Sequence, residues 1–147
     1  ACGIVVAGLG GDGVVYVLAD LTLQGAAPSV WAARAIKALE DFQADRIVAE
    51  VNQGGELVET LIRQVDPRAP YKAVRATRGK VTRAEPVAAL YEQGRVRHAG
   101  SFPLLEDQLC AWTGETGQGS PDRMDALVWA VTELSLRAGS APRVRRL

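Results

Sequence analysis

Two β-branched runs joined by a glycine-rich segment constrain this chain more than any other feature. Ile4-Val5-Val6-Ala7 leads into Gly8-Leu9-Gly10-Gly11-Asp12-Gly13, and Val14-Val15-Tyr16-Val17-Leu18-Ala19 follows at once. β-Branched side chains favour extended backbone and glycines supply the tight turn, so the pair predicts a β-hairpin. Gly8, Gly10 and Gly13 also satisfy G-x-G-x-x-G. That pattern binds a dinucleotide only when a helix follows, and Val14 to Val17 is poor helix material. No G-x-x-x-x-G-K-[ST] loop occurs, so the sequence carries no ATP-hydrolysis signature of its own.

Beyond the hairpin, strand-like and helical segments alternate. Ser29 is positioned to cap a helix in which Trp31, Ala35, Leu39 and Phe42 recur at helical spacing. Arg46 to Val51 reads as a strand, central in its sheet because it is mostly apolar. Asn52 to Gly55 turns the chain into a second helix with Leu57, Leu61, Ile62 and Val65 inward. Tyr71 to Thr77 is strand-like. Thr82-Arg83-Ala84-Glu85 matches a capping box for a helix that stops at Gly94, with Pro86 in its first turn. Arg95 to His98 suits a short edge strand, and Leu104, Leu105, Gln108, Leu109 and Trp112 form another helical stripe. After a polar loop from Gly114 to Gly119, Ser120-Pro121 opens a last helix whose inner face is Met124, Leu127, Val128, Val131 and Leu134. The order implies an α/β fold: a mixed sheet with helices packed on both faces. Residues 1–137 form one domain in this reading, with 138–147 as a loose tail.

Composition narrows the class. The 147 residues are 48% hydrophobic and carry no formal net charge, which suits a packed globular chain rather than a disordered one. Any nucleic-acid surface must then come from local clustering of charge. No apolar run approaches the roughly 20 residues that a membrane helix needs, so no membrane partner is expected. Cys2 and Cys110 lie far apart and match no metal-ligand spacing, which favours reduced thiols. His98 is the only histidine and reads as structural or surface-exposed.

Three acids stand out against this background. Glu50 ends an apolar strand just before Gly54-Gly55, and ligands in α/β sheets gather at the carboxyl ends of strands. Asp122 and Asp125, three residues apart, share one face of the first turn of the last helix. The helix dipole alone favours acids there by about 0.3–1 kcal/mol each, and that explains Asp122 as well as a site would. Asp125 borders the buried stretch Ala126 to Ala130, where small alanines allow close packing on the sheet. A carboxylate cluster of this kind calls for a hard cation, Mg²⁺ or Mn²⁺, and suits phosphodiester cleavage by a two-metal site. Arg75, Arg78, Lys80 and Arg83 run from a strand into the next helix, around Gly79, and form a basic segment able to meet phosphates.

Three stretches carry a family resemblance: Val48 to Gly55, Gly79 to Val87, and Ser120 to Leu127. In that order and spacing, the sequence resembles the C-terminal nuclease domain of phage large terminase subunits, including those of prophages and gene transfer agents. The match spans most of residues 1–135. The resemblance implies an RNase H-like fold and an Mg²⁺- or Mn²⁺-dependent endonuclease that cuts concatemeric double-stranded DNA during capsid filling, in the cytoplasm of a bacterial host. It assigns Glu50 and Asp125 as catalytic metal ligands, with Asp122 as their helper; Arg78, Lys80 and Arg83 of the basic segment are the residues expected to meet DNA. It also implies partners: the terminase ATPase domain of the same polypeptide, the portal, and the small terminase subunit. The family's first catalytic aspartate falls on a strand before the hairpin, and neither Asp12 nor Asp20 takes its place. The expectation is therefore that this stretch alone binds metal weakly and cleaves poorly, which robust Mn²⁺-dependent nicking would overturn. Another RNase H-like nuclease (a resolvase or transposase core) and a non-catalytic DNA- or portal-docking module are the alternatives.

Overall fold

The computed structural model describes residues 2–51, 56–112 and 121–140, the last four of these for their backbone only. Its elements are β1 (Val5–Leu9), β2 (Val15–Asp20), α1 (Pro28–Asp41), β3 (Ile47–Glu50), α2 (Glu56–Val65), β4 (Tyr71–Val74), α3 (Lys80–Glu92), β5 (Val96–His98), α4 (Pro103–Ala111) and α5 (Asp122–Ser140). They fall into two compact units: Cys2 with Leu23–Arg78, and Gly3–Thr22 with the chain from Gly79 onward.

In the second unit, β1 and β2 form the expected antiparallel hairpin, with a register irregularity between Val6 and Ala7. Its turn closes through Gly13 N–H to Gly10 O at 3.0 Å, and Gly13 takes φ +83°, which glycine adopts without strain. Asp12 completes the turn: one carboxylate oxygen accepts Val14 N–H and the other accepts the Tyr16 hydroxyl at 2.7 Å. Those bonds, the tyrosine's first, lower the Asp12 pKa. β5 joins the far side of β2 in parallel, which makes the sheet mixed, in the order β1-β2-β5.

The alternation of β2 sets the packing. Val15 and Val17 are buried, and α5 lays Met124, Leu127, Val128 and Val131 into the same cluster with Val87, Val96 and Leu105. A Tyr91–His98–Glu106 chain ties α3, β5 and α4 together, with Tyr91 Oη 2.7 Å from His98 Nε2 and His98 Nδ1 2.8 Å from Glu106 Oε2. The carboxylate can only accept, so Nδ1 of His98 donates to it, and in the neutral tautomer Nε2 accepts a hydrogen bond from the Tyr91 hydroxyl. Burial pushes the Tyr91 phenol up, which keeps it a donor. His98 is thus a structural tie.

The first unit holds β3 and β4 as a parallel pair joined through α2, in register from Ile47 with Tyr71 to Glu50 with Val74. α1 packs on α2 around Ala32, Ile36, Ile62 and Ala69. β3 was expected to be central; among the described residues it pairs with β4 alone and its residues are only half-buried, Glu50 being exposed. The apolar run owes its character partly to Val51, which is buried one residue past the strand.

Several helix boundaries differ from expectation. α1 starts at Pro28 with Ala27 as its N-cap, so Ser29 lies inside it. Proline's fixed φ suits a first helical position and moves the start upstream. α3 begins at Lys80 after Gly79, whose extended backbone (φ −67°, ψ 164°) serves as the cap, so Thr82 to Glu85 is not a capping box and Pro86 lies in the helix interior. α5 continues to Ser140, beyond the expected end at 137. The turn at 52–55, the loop around 114–119, Ser120 and residues 141–147 lie outside the described residues.

Candidate metal and phosphate site

The first turn of α5 is fixed from three sides. Arg123 donates Nε–H to Asp20 Oδ2 at 2.9 Å, both side chains about one-tenth exposed. Asp20 Oδ1 in turn accepts the Thr22 hydroxyl at 2.6 Å, and Thr22 Oγ1 accepts Ile4 N–H. Gln108 of α4 reaches over with its carbonyl to accept Met124 N–H at 2.8 Å, satisfying an N–H that a helix start leaves without an intrahelical partner. Gly3 closes the third side: a Cβ there would collide with the carbonyl of Asp122. Ser120, expected as the cap, lies outside the described residues; the N–H of Met124 is met by a glutamine side chain from another helix.

On this held turn, Asp122 and Asp125 occupy the first and fourth helical positions, where the dipole favours negative charge. Asp122 is half-buried and has contacts of its own. Asp125 is 21% exposed, and its Oδ2 lies 3.0 Å from Lys80 Nζ of α3, whose side chain is 42% exposed. One turn along, Arg83 sets its guanidinium over the Trp129 ring, 5.1 Å from the centroid. Lys80 and Arg83 are three apart on α3, and Asp125 and Trp129 are four apart on α5. The basic face of α3 therefore lies along the edge of α5 that carries the acids. Lys80 and Arg83, expected to meet DNA, thus also face an acid and an aromatic ring of α5, and neither Trp129 nor the Asp20–Arg123 pair is among the expected site residues. An Asp20–Arg123 pair separated by 103 positions leaves no local signal.

Glu50 and Arg78 belong to the first unit. Glu50 is exposed at the carboxyl end of β3, and Arg78 is exposed at the end of its unit; neither lacks a partner.

Among the described residues, no three of His, Cys, Asp or Glu gather closely enough to hold a metal. Cys2 and Cys110 are free thiols, and His98 is committed to its tie. The donor set at α5 nevertheless fits a hard cation. Mg²⁺ commonly takes only one or two carboxylates and fills its shell with water and substrate phosphate oxygens. Asp125 already faces a positive group, the Lys80 ammonium.

A family model described as "Terminase RNaseH-like domain" matches residues 1–134, and so covers both units. No curated protein matches the chain. No helix among the described residues is long and apolar enough to cross a membrane.

Proposed function

The chain belongs to the family of terminase RNaseH-like domains, a nuclease-type domain of mixed α/β fold, and from that premise we propose that it cuts double-stranded DNA with Mg²⁺ or Mn²⁺ during the packaging of concatemers. The observation that carries the reading is the partly buried Asp125 carboxylate, held against a lysine ammonium on a helix start fixed from three sides. Asp125 is the principal ligand of this turn, with Asp122 one turn-face away as its helper. Glu50, from the carboxyl end of β3, is proposed as a further catalytic acid. When bound, the divalent ions of a two-metal site lower the pKa of water and stabilise the leaving oxygen of the phosphodiester. The chain's own part is to orient carboxylates and to present Lys80, Arg83 and Arg78 to backbone phosphates, which positions a duplex without reading its sequence. The partners in this reading are a terminase ATPase domain in the same polypeptide, the portal and the small terminase subunit, within the host cytoplasm.

Conversion of supercoiled plasmid by the natural protein, with Mn²⁺ present, tests this. Asp125→Asn and Glu50→Gln are each expected to slow cutting by about 100-fold or more, about 3 kcal/mol of lost transition-state stabilisation, and Asp122→Asn by about tenfold or less. Cutting at the parental rate by both Asp125→Asn and Glu50→Gln would leave only the docking-module reading.

A further inference from the structure

Two carboxylate–cation pairs flank the first turn of α5, and they differ in kind. Asp20 and Arg123 are both nearly buried, and Asp20 has Thr22 as a second partner. A planar guanidinium on a desolvated carboxylate does not exchange easily. Asp125 and Lys80 meet at the same sort of distance, 3.0 Å, but Lys80 keeps 42% of its side chain in solvent. It is also the first residue of α3, so its arm leaves from the exposed end of the helix. A lysine is a compact charge on a mobile four-carbon stem, and an exposed pair of this type holds weakly.

We propose that Lys80 is the exchangeable counter-ion of Asp125, holding the carboxylate until a divalent cation takes it and thereby setting the affinity of that cation. Both cations need the same oxygen, so they compete. Lys80 released from Asp125 keeps its place at the start of α3, beside Arg83, where its ammonium can meet a phosphate oxygen. The bridge protects Asp125 from lying bare in the absence of metal and couples metal arrival to the freeing of a phosphate-binding group. This inference rests on the metal reading of Asp125 given above.

Binding of Mn²⁺ to the chain, followed by the loss of the free-ion electron paramagnetic resonance signal, separates the two. Removing one positive charge roughly 6–12 Å from a divalent ion in water, within reach of a released lysine arm, changes its affinity by about three- to tenfold. Lys80→Met is therefore expected to bind Mn²⁺ about three- to tenfold more tightly than the parent, while Lys80→Arg, which keeps the charge, shows no tightening. Asp125→Asn is expected to weaken binding by about tenfold, and adding Lys80→Met to it should tighten binding by less than it does in the parent. If Asp125→Asn weakens binding but Lys80→Met leaves it unchanged or weaker, the exchange is wrong and the metal reading stands. If Asp125→Asn binds like the parent, or neither chain takes up Mn²⁺, the metal reading itself fails and the exchange with it.

Discussion

The unit that carries α5 and the unit that carries Glu50 bury their apolar residues on different scales. Among the described residues, the first of these draws nine buried side chains from β2, α3, β5, α4 and α5 into one cluster. The other draws four, two of them alanines, from α1, α2 and the segment after α2. The α5 unit also satisfies its buried polar groups: Asp20 with Arg123 and Thr22, Gln108 with Met124, His98 with Tyr91 and Glu106. In the Glu50 unit the Tyr71 hydroxyl is buried and has no hydrogen bond among the described residues. An acid placed by the α5 unit is thus held by a dense scaffold, whereas Glu50 rides on a two-stranded sheet with a thin core. The two proposed catalytic acids therefore stand on supports of unequal packing.

Truncation in the two cores should measure that inequality. Leu127→Ala, at a fully buried site in the large cluster, is expected to destabilise by about 3–5 kcal/mol and to lower hydrogen-exchange protection across β1, β2 and α5 together. Ile62→Ala should lower stability by about 2–4 kcal/mol, with the lost protection confined to α1, α2, β3 and β4. Equal loss of protection throughout the chain in both variants would break the comparison.

A smaller effect comes from pH. His98 Nδ1–H, then Phe102 N–H, donates to Glu106 and holds its carboxyl below the usual glutamate range. The folded state keeps this proton off more firmly than the unfolded chain does. The contribution is therefore complete above the ordinary glutamate range and is lost as pH falls through it to the depressed native value. Urea unfolding of Glu106→Gln should accordingly show lower stability than the parent near neutrality and converge with it in acid. Parallel curves at every pH would remove Glu106 from the tie. The smallest change is Tyr71→Phe, which deletes a hydroxyl that burial already keeps from ionising. Thermal melting should show it neutral or stabilised by up to about 1 kcal/mol, and a marked loss would mean that the hydroxyl has a partner after all.

Much of this fold was legible because it is locally encoded. The hairpin follows from β-branched runs and glycines within 20 residues of one another, and Met124, Leu127, Val128 and Val131 announce the buried face of α5 by spacing alone. Helix starts were less legible. Ser29 and Thr82 have capping chemistry, but Pro28 and Gly79 fix the backbone upstream of them, and backbone geometry prevailed. The acids were legible as residue types in suggestive positions; their counter-ions were not. Which cation meets Asp125 and which meets Asp20 depends on how α3 and β2 lie against α5, and no periodicity in one element encodes its neighbour. Trp129 illustrates the point: it falls within the stretch Ala126 to Ala130, and nothing in that stretch announces that it serves as the platform for Arg83.

The proposed function requires that the well-held turn of α5 receive a divalent cation at Asp125. Adding substoichiometric Mn²⁺ to the isotopically labelled chain and recording backbone amide signals tests it most directly, since a paramagnetic ion broadens only its neighbours. Selective broadening is expected at Asp122 to Ala126 and at Lys80, abolished by Asp125→Asn, with Gly10 to Gly13 at the far end of the hairpin unaffected. Sharp signals throughout that turn, or broadening centred on Asp12 instead, would contradict it.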